Sequence, residues 1–331
     1  MKTNPVRYFG SPYRTSRIMR FAQELANITG KGENDFLFIE PYSIGDALHT
    51  LGLLPRFRET YCEPGQRIIL LCQDRSKGLN DIMPFADVVV GAPLTPYEIQ
   101  FEYLASLTNG LSPHMPIICP PDMHALGKLG RTGVSPLAAK RSIFFLEQHE
   151  PWQGPVISAP LRAAAEQRLA GLGLRRDEGL IIMPHTMSYN DLAPEFWQAA
   201  VVLIGERFPQ LRLFTETTGG RPPIQGTEAI ELSLAELIPA VEYAGAALVA
   251  RSGLADILAH AQADIVSMVP PTSFHKAPPP SFRQEEFFVS AWFPDTTIAD
   301  VAVRELDLES LQAVVGAFRG VPASPRMAEA S

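Results

Sequence analysis

Hydrophobic and polar positions along the chain follow two rhythms. In residues 14–28, Ile18, Phe21, Ala22, Leu25 and Ile28 recur at helical spacing, which predicts an amphipathic helix ending at Gly30. From Asp35 onward, short apolar runs alternate with helical stretches. FLFI (36–39), IILLC (68–72), DVVV (87–90) and IIC (117–119, with Pro116 leading in) read as strands. Residues 45–60 read as a helix with Leu48, Leu51 and Leu54 turned inward. After the segment EPWQGPVISAP (150–160) the alternation restarts. LIIM (180–183), LRLFT (211–215), AALVA (246–250) and DIVSMV (264–269) read as strands, separated by helical patterns at 160–172, 194–208, 233–244 and 253–262. Strands that are apolar on both faces, alternating with helices, are the mark of parallel sheets covered on both sides.

The expected fold class is therefore α/β. Two Rossmann-like domains with parallel sheets would face a central cleft. The expected divisions are a basic helical extension over 1–34, a first domain over 35–150, a linker over 151–160, a second domain over 161–320 and a disordered tail over 321–331.

Composition narrows the function classes. The 331 residues carry 28 Lys+Arg and 36 Asp+Glu, a net charge of −8. Such a chain lacks the basic stripe that neutralises phosphates in nucleic-acid binding, so no nucleic-acid partner is expected. Lys2, Arg7, Arg14, Arg17 and Arg20 all precede the first acid, Glu24. The first helix could simply pack on the domain it precedes, or its basic face could make peripheral contact with anionic lipid. No apolar run is long enough to span a bilayer and no secretory signal is present, so a cytoplasmic setting is expected, with a peripheral position at the inner membrane face as the other option. Cys62, Cys72 and Cys119 form no C-x-x-C pair, and the seven histidines show no i,i+4 pair, so neither a disulfide framework nor a metal site is expected. The 30 prolines are about 9% of the chain against a usual value near 5%. They cluster at PHMPIICPPD (113–122), GRPPI (220–224) and VPPTSFHKAPPP (269–280), and read as stiff loops between elements.

Missing motifs also count. There is no G-x-x-x-x-G-K-[ST] and no G-x-G-x-x-G after the first strand, which disfavours a P-loop hydrolase and a dinucleotide enzyme. Two segments carry candidate chemistry. In the first, Asp46 falls in the first turn of the helix after strand 36–39. The positive end of the helix would keep it ionised as a base, or it could serve only as a cap. In the second, strand 246–250 runs into Arg251-Ser252-Gly253-Leu254 at a helix start. Free N–H groups, a glycine and an arginine there suit a diphosphate, although Ser-Gly is also a common connector.

Together these segments resemble the heptosyltransferase-like family, glycosyltransferase family nine with the GT-B fold. SIGDALHTLGLLPRFRE (43–59) is similar to the family's opening Gly-Asp motif. MPHTMS (183–188) is similar to its His-Pro-Gly-like loop, and PEFWQAAVVLIGERFP (194–209) to the helix after that loop. ARSGLADILAHAQADIVSMVPPT (250–272) is similar to its Asp-Ser/Thr-Gly-x-x-His-Leu segment. The resemblance covers roughly residues 35–272.

The resemblance implies a glycosyltransferase that moves a sugar from a nucleotide-sugar donor to a glycan or glycolipid acceptor hydroxyl with inversion. Asp46 would be its catalytic base. It implies donor contacts from Thr186 and Ser188, diphosphate contacts from Ser252, Gly253 and Leu254, and a donor-ribose contact from Glu216, which could equally be a solvated loop acid. It implies no metal and no further cofactor, in keeping with the absence of a D-x-D. Lys276 and His275 could reach the donor or lie in an exposed loop.

The departures from the family pattern are specific. Its acid before Ser/Thr-Gly is Arg251 here, its histidine is replaced around Asp256, and its lysine after the His-Pro-Gly loop has no match in SYNDLAPEF. Arg251 could supply a cation to the β-phosphate. The Arg-Ser-Gly element also resembles capsule-related, surface-polysaccharide and fucosyltransferase-like GT-B proteins. Two other functions stay open: a sugar-nucleotide epimerase or phosphorylase of the same fold, and a non-catalytic nucleotide-sugar-binding or scaffold protein.

Overall fold

A computed structural model describes residues 23–93, 117–118, 136–186, 192–270, 284–303 and 307–319. The chain divides into two compact units, residues 1–153 and 154–331.

In the first unit, β1 (Phe36–Glu40), β2 (Ile68–Gln73), β3 (Val88–Ala92) and β4 (Ile117–Ile118) form a sheet of order β3-β2-β1-β4 with every pairing parallel. Helix α1 (Ile44–Tyr61) comes after β1, and α2 (Pro136–Ile143) closes the unit. Alternate residues of the central strands point to opposite faces, and both faces are covered. On one face Leu37, Ile39, Ile69 and Leu71 pack with Leu25 of the helical stretch 23–29. On the other, Phe38 meets Phe57 and Phe144 edge to face at 5.0 Å each.

The stretch 23–29 ends at Gly30, whose φ of +66° is the left-handed conformation that stops helices. It buries Leu25 and Thr29 but leaves Ile28 57% exposed. Ile28 was expected on the inward stripe and lies off it, because the buried pair is spaced i,i+4 and the stripe is one residue wide here. The five basic residues that precede Glu24 lie outside the described residues.

Helix α1 is buried over its whole first half, from Gly45 to Leu54. Pro55 sits inside it and has no N–H to give the Leu51 carbonyl. Just before that point the helix receives the end of the unit. Trp152 Nε1 donates to the His49 carbonyl at 3.2 Å, and the Gln153 amide donates to the Gly52 carbonyl at 2.8 Å. A Cβ on Gly52 would lie 2.1 Å from Trp152 Nε1, so only glycine admits the indole here.

In the second unit, α3 (Ala159–Gly171) leads to β5 (Gly179–Met183), α4 (Pro194–Arg207), β6 (Arg212–Glu216) and β7 (Glu228–Ile230). Next come α5 (Leu237–Ala244), β8 (Gly245–Ala250), α6 (Gly253–Leu258), β9 (Asp264–Val269), α7 (Val289–Trp292), β10 (Ala299–Ala302) and α8 (Leu308–Ala317). The six strands pair in the order β10-β9-β8-β5-β6-β7, all parallel. Counted from the first strand of this unit, that is 6-5-4-1-2-3, the order of a complete dinucleotide-binding Rossmann sheet. Leu180, Ile182, Leu248 and Val266 pack against Trp197 and Ile204 of α4 and Val314 and Val315 of α8. Each such side chain contributes roughly 1.5–3 kcal/mol when fully buried. No helix among the described residues is long and apolar enough to cross a membrane.

Candidate functional site

In a parallel sheet, ligands lie beyond the carboxyl ends of the strands, where the strand order reverses. In the second unit that point falls between β5 and β8, which run side by side with Met183 opposite Val249. The chain leaves β5 into Pro184-His185-Thr186 and leaves β8 into Arg251-Ser252-Gly253. On the other flank of β5, β6 ends on Glu216. The fold therefore brings Thr186, Glu216 and residues 251–254 to one edge of three adjacent strands. Ser188, His275 and Lys276 lie outside the described residues.

Each of these residues has a local reason for its position. Glu216 is half-buried and its Oε1 accepts from the Thr218 amide at 2.8 Å, which turns the carboxylate back over the loop that leaves the strand. Ser252 is extended and caps α6, its Oγ accepting from the Leu254 amide at 3.3 Å. The connection was expected to offer open N–H groups; the Leu254 donor is taken by this cap.

Arg251 is 1% exposed. Its amide donates to the Met268 carbonyl at 2.8 Å, extending the ladder with β9. Its Nη1 donates to the Ser252 carbonyl at 2.8 Å, and its Nη2 lies 2.9 Å from Asp256 Oδ1. The guanidinium also lies over the Trp292 ring, 4.2 Å from its centroid. The side chain expected to meet a phosphate is thus held inside the unit, paired with the acid that stands five residues on.

Asp46 belongs to the first unit, at the third position of α1. Ser43 is the cap, its Oγ accepting from the Asp46 amide at 3.3 Å, while Asp46 Oδ2 accepts from the Ser43 amide at 3.1 Å and the Ser43 hydroxyl at 2.6 Å. The capping role is therefore real, and it also fixes the carboxylate in one orientation. Asp46 is 6% exposed.

Behind Asp46 lies a group the sequence did not single out. Lys140 of α2 donates to the Glu40 carboxylate, to the Asp46 carbonyl and, at 3.0 Å, to Thr50 Oγ1. Burial pushes the Glu40 carboxyl up to about 8; the Asp46 carboxylate adds to the rise, and Lys140 opposes it. Beside Glu40 in the sheet register, the Cys72 thiol is pushed up to about 12 by burial, with Glu40 adding, so it stays protonated and is no nucleophile. No sequence signal links Lys140 to this cluster, because it stands beside the half-buried Arg141 in an ordinary helical pattern.

No family model matches the sequence, and no curated protein matches it. Solved structures do match in fold. Escherichia coli ADP-heptose lipopolysaccharide heptosyltransferase II aligns over 86% of this chain and 97% of its own, with a TM-score of 0.57 and 11% identity. A glycosyl transferase family 9 protein of Veillonella parvula aligns over 88% and 93%, with a TM-score of 0.53 and 11% identity. An E. coli heptosyltransferase solved with ADP aligns over 85% and 97%, with a TM-score of 0.51 and 13% identity. The chain thus resembles heptosyltransferases, with a GT-B-like α/β fold built on parallel sheets.

Proposed function

We propose that the protein is a glycosyltransferase. It takes a nucleotide-sugar donor on the second unit and transfers the sugar to a hydroxyl of a glycan or glycolipid acceptor. The observation that carries this reading is the gathering of Thr186, Glu216 and residues 251–254 at the reversal point of a complete Rossmann-order sheet, in a chain with the fold of heptosyltransferases. A phosphate-bearing ligand suits that edge, and Glu216 offers a carboxylate to ribose hydroxyls.

In the reaction, the acceptor oxygen attacks the anomeric carbon as the bond from that carbon to the leaving phosphate oxygen breaks. The nucleoside diphosphate departs with the electron pair. The acceptor proton passes to the Asp46 carboxylate, which Ser43 holds in a fixed orientation. Direct displacement inverts the anomeric centre. The Ser252-Gly253-Leu254 connection is assigned to the donor diphosphate, with the Leu254 amide kept by the Ser252 cap, and the chemistry needs no metal in this reading.

The test is calorimetry with ADP, GDP, UDP and CDP, and then with their sugar derivatives. One base should bind saturably, and at about 100 times its Kd it should stabilise the fold by about 2.7 kcal/mol. Asp46→Asn should keep donor binding and lose transfer by roughly 10²–10⁴-fold. Failure of every nucleotide to bind overturns the reading, and near-normal transfer by Asp46→Asn overturns the base.

A further inference from the structure

Helix α6 is held at both ends by one segment that comes after β9 in the chain. At its start, Arg251 is stacked on Trp292 while it pairs with Asp256 and holds the Ser252 carbonyl. At its end, Phe293 lies edge to face with His260 at 5.0 Å, and Thr296 Oγ1 donates to the Ala259 carbonyl at 2.8 Å. The segment is itself pinned. Asp300 of β10 accepts from the Val289 and Ser290 amides at 3.0 and 2.9 Å and from Ser290 Oγ at 2.8 Å, which fixes the short turn of helix that presents Trp292. A six-residue helix has little stability of its own, so its position is set by such contacts.

We infer that residues 289–300 form a brace that positions the Ser252–Leu254 connection, with Arg251 as the positioning residue that transmits it. The inference rests on the donor-binding reading above and assigns Arg251 a part different from phosphate contact. A guanidinium that is 1% exposed, neutralised by Asp256 and covered by an indole acts on a ligand through the loop it holds. Its bond to the Ser252 carbonyl orients the peptide that leads into Gly253. Burial of the pair means that neither charge can be removed without stranding the other. The stack on Trp292 ties that pair to a strand at the far edge of the sheet.

The two parts that Arg251 could play predict opposite results for one substitution. If Arg251 met the phosphate, Asp256→Asn would release it from its competitor and tighten binding, with a steeper dependence on salt. As a positioning pair, Asp256→Asn loosens the connection and weakens binding. The experiment is calorimetry with whichever of ADP, GDP, UDP and CDP binds the full chain tightest. Asp256→Asn and Trp292→Leu should each weaken it by about tenfold, and Trp292→Phe, which keeps a ring over the guanidinium, should stay within about twofold. Tighter binding by Asp256→Asn, or unchanged binding by Trp292→Leu, overturns the inference. Should Asp256→Asn fail to fold, the two Trp292 variants decide. If none of the four nucleotides binds the unsubstituted chain, the donor reading fails, and the brace is judged alone by amide hydrogen exchange at residues 252–254. Faster exchange in Trp292→Leu than in Trp292→Phe supports it; equal exchange overturns it.

Discussion

Lys140 and Glu40 form an ion pair in which neither side chain has any exposure to solvent, joining the end of β1 to a helix one hundred residues later. The ammonium is not satisfied by the carboxylate alone; it also bonds the Asp46 carbonyl and the Thr50 hydroxyl. The pair is thus the floor beneath the turn that carries Asp46. Lys140→Met takes the buried partner from the Glu40 carboxyl, the Asp46 carbonyl and the Thr50 hydroxyl at once and should destabilise the protein by about 3–5 kcal/mol. Lys140→Met combined with Glu40→Gln should cost clearly less than Lys140→Met alone. Denaturant unfolding of the three proteins measures this, and equal losses for the single and double variants would contradict it.

Ser43 both caps α1 and orients Asp46. Ser43→Ala should cost about 1 kcal/mol through the lost cap. Ser43→Thr, which keeps the hydroxyl, should restore most of it. Urea denaturation midpoints report the comparison.

Gly52 admits the Trp152 indole. Gly52→Ala would put a methyl group inside the ring's contact distance and should destabilise by about 1–3 kcal/mol, despite the better helix propensity of alanine. A stability gain, as expected for an open helical glycine, would show that the indole moves aside at no cost.

His260 is held well below the ordinary imidazole range, at about 4, by burial. In the unfolded chain it takes up a proton near pH 6.5, so between about pH 6.5 and 4 the unfolded state binds more protons and stability falls as the pH falls. The loss should approach about 3 kcal/mol and level off below pH 4. His260→Phe, which keeps a ring against Phe293, should remove this part of the slope. Unfolding measured from about pH 7 to about pH 4 tests it; parallel curves for the two proteins would count against the assignment.

The strands were legible because their apolar runs are unbroken. AALVA lies within a residue of the observed β8, and DIVSMV coincides with β9, where the buried Ser267 is the one polar residue inside the run and Asp264 marks its start. The edges were not. β7 is three residues with two exposed, and β10, ADVA, is half-buried with a charge in its middle, so neither offers a run to read. Helix α8 has a readable stripe in Leu311, Val314 and Val315, but the strand before it, β10, offers no apolar run to set it in a strand–helix alternation. The site divides the same way. Asp46 and Ser252-Gly253 stand at strand-to-helix junctions, which periodicity locates. Lys140 meets Glu40 only through tertiary folding. The Arg251–Asp256 pair had a faint signal: they are the only two charges between Ala244 and His260, and charges in so apolar a window are buried together or not at all.

The docking of Trp152 and Gln153 on α1 bears on how the chain passes from one unit to the next. Both residues hang from carbonyls of the helix whose first turn carries Asp46, and Glu150 just before them is bound by Arg56 of the same helix. The polypeptide therefore stays part of the first unit through residue 153, and α3 begins at Ala159. The covalent tether is reduced to Gly154-Pro155-Val156-Ile157-Ser158, in which the glycine has the widest backbone freedom and the proline fixes its own φ. The first unit thus ends anchored on the helix whose first turn holds Asp46, and only five residues lead from that anchor to α3.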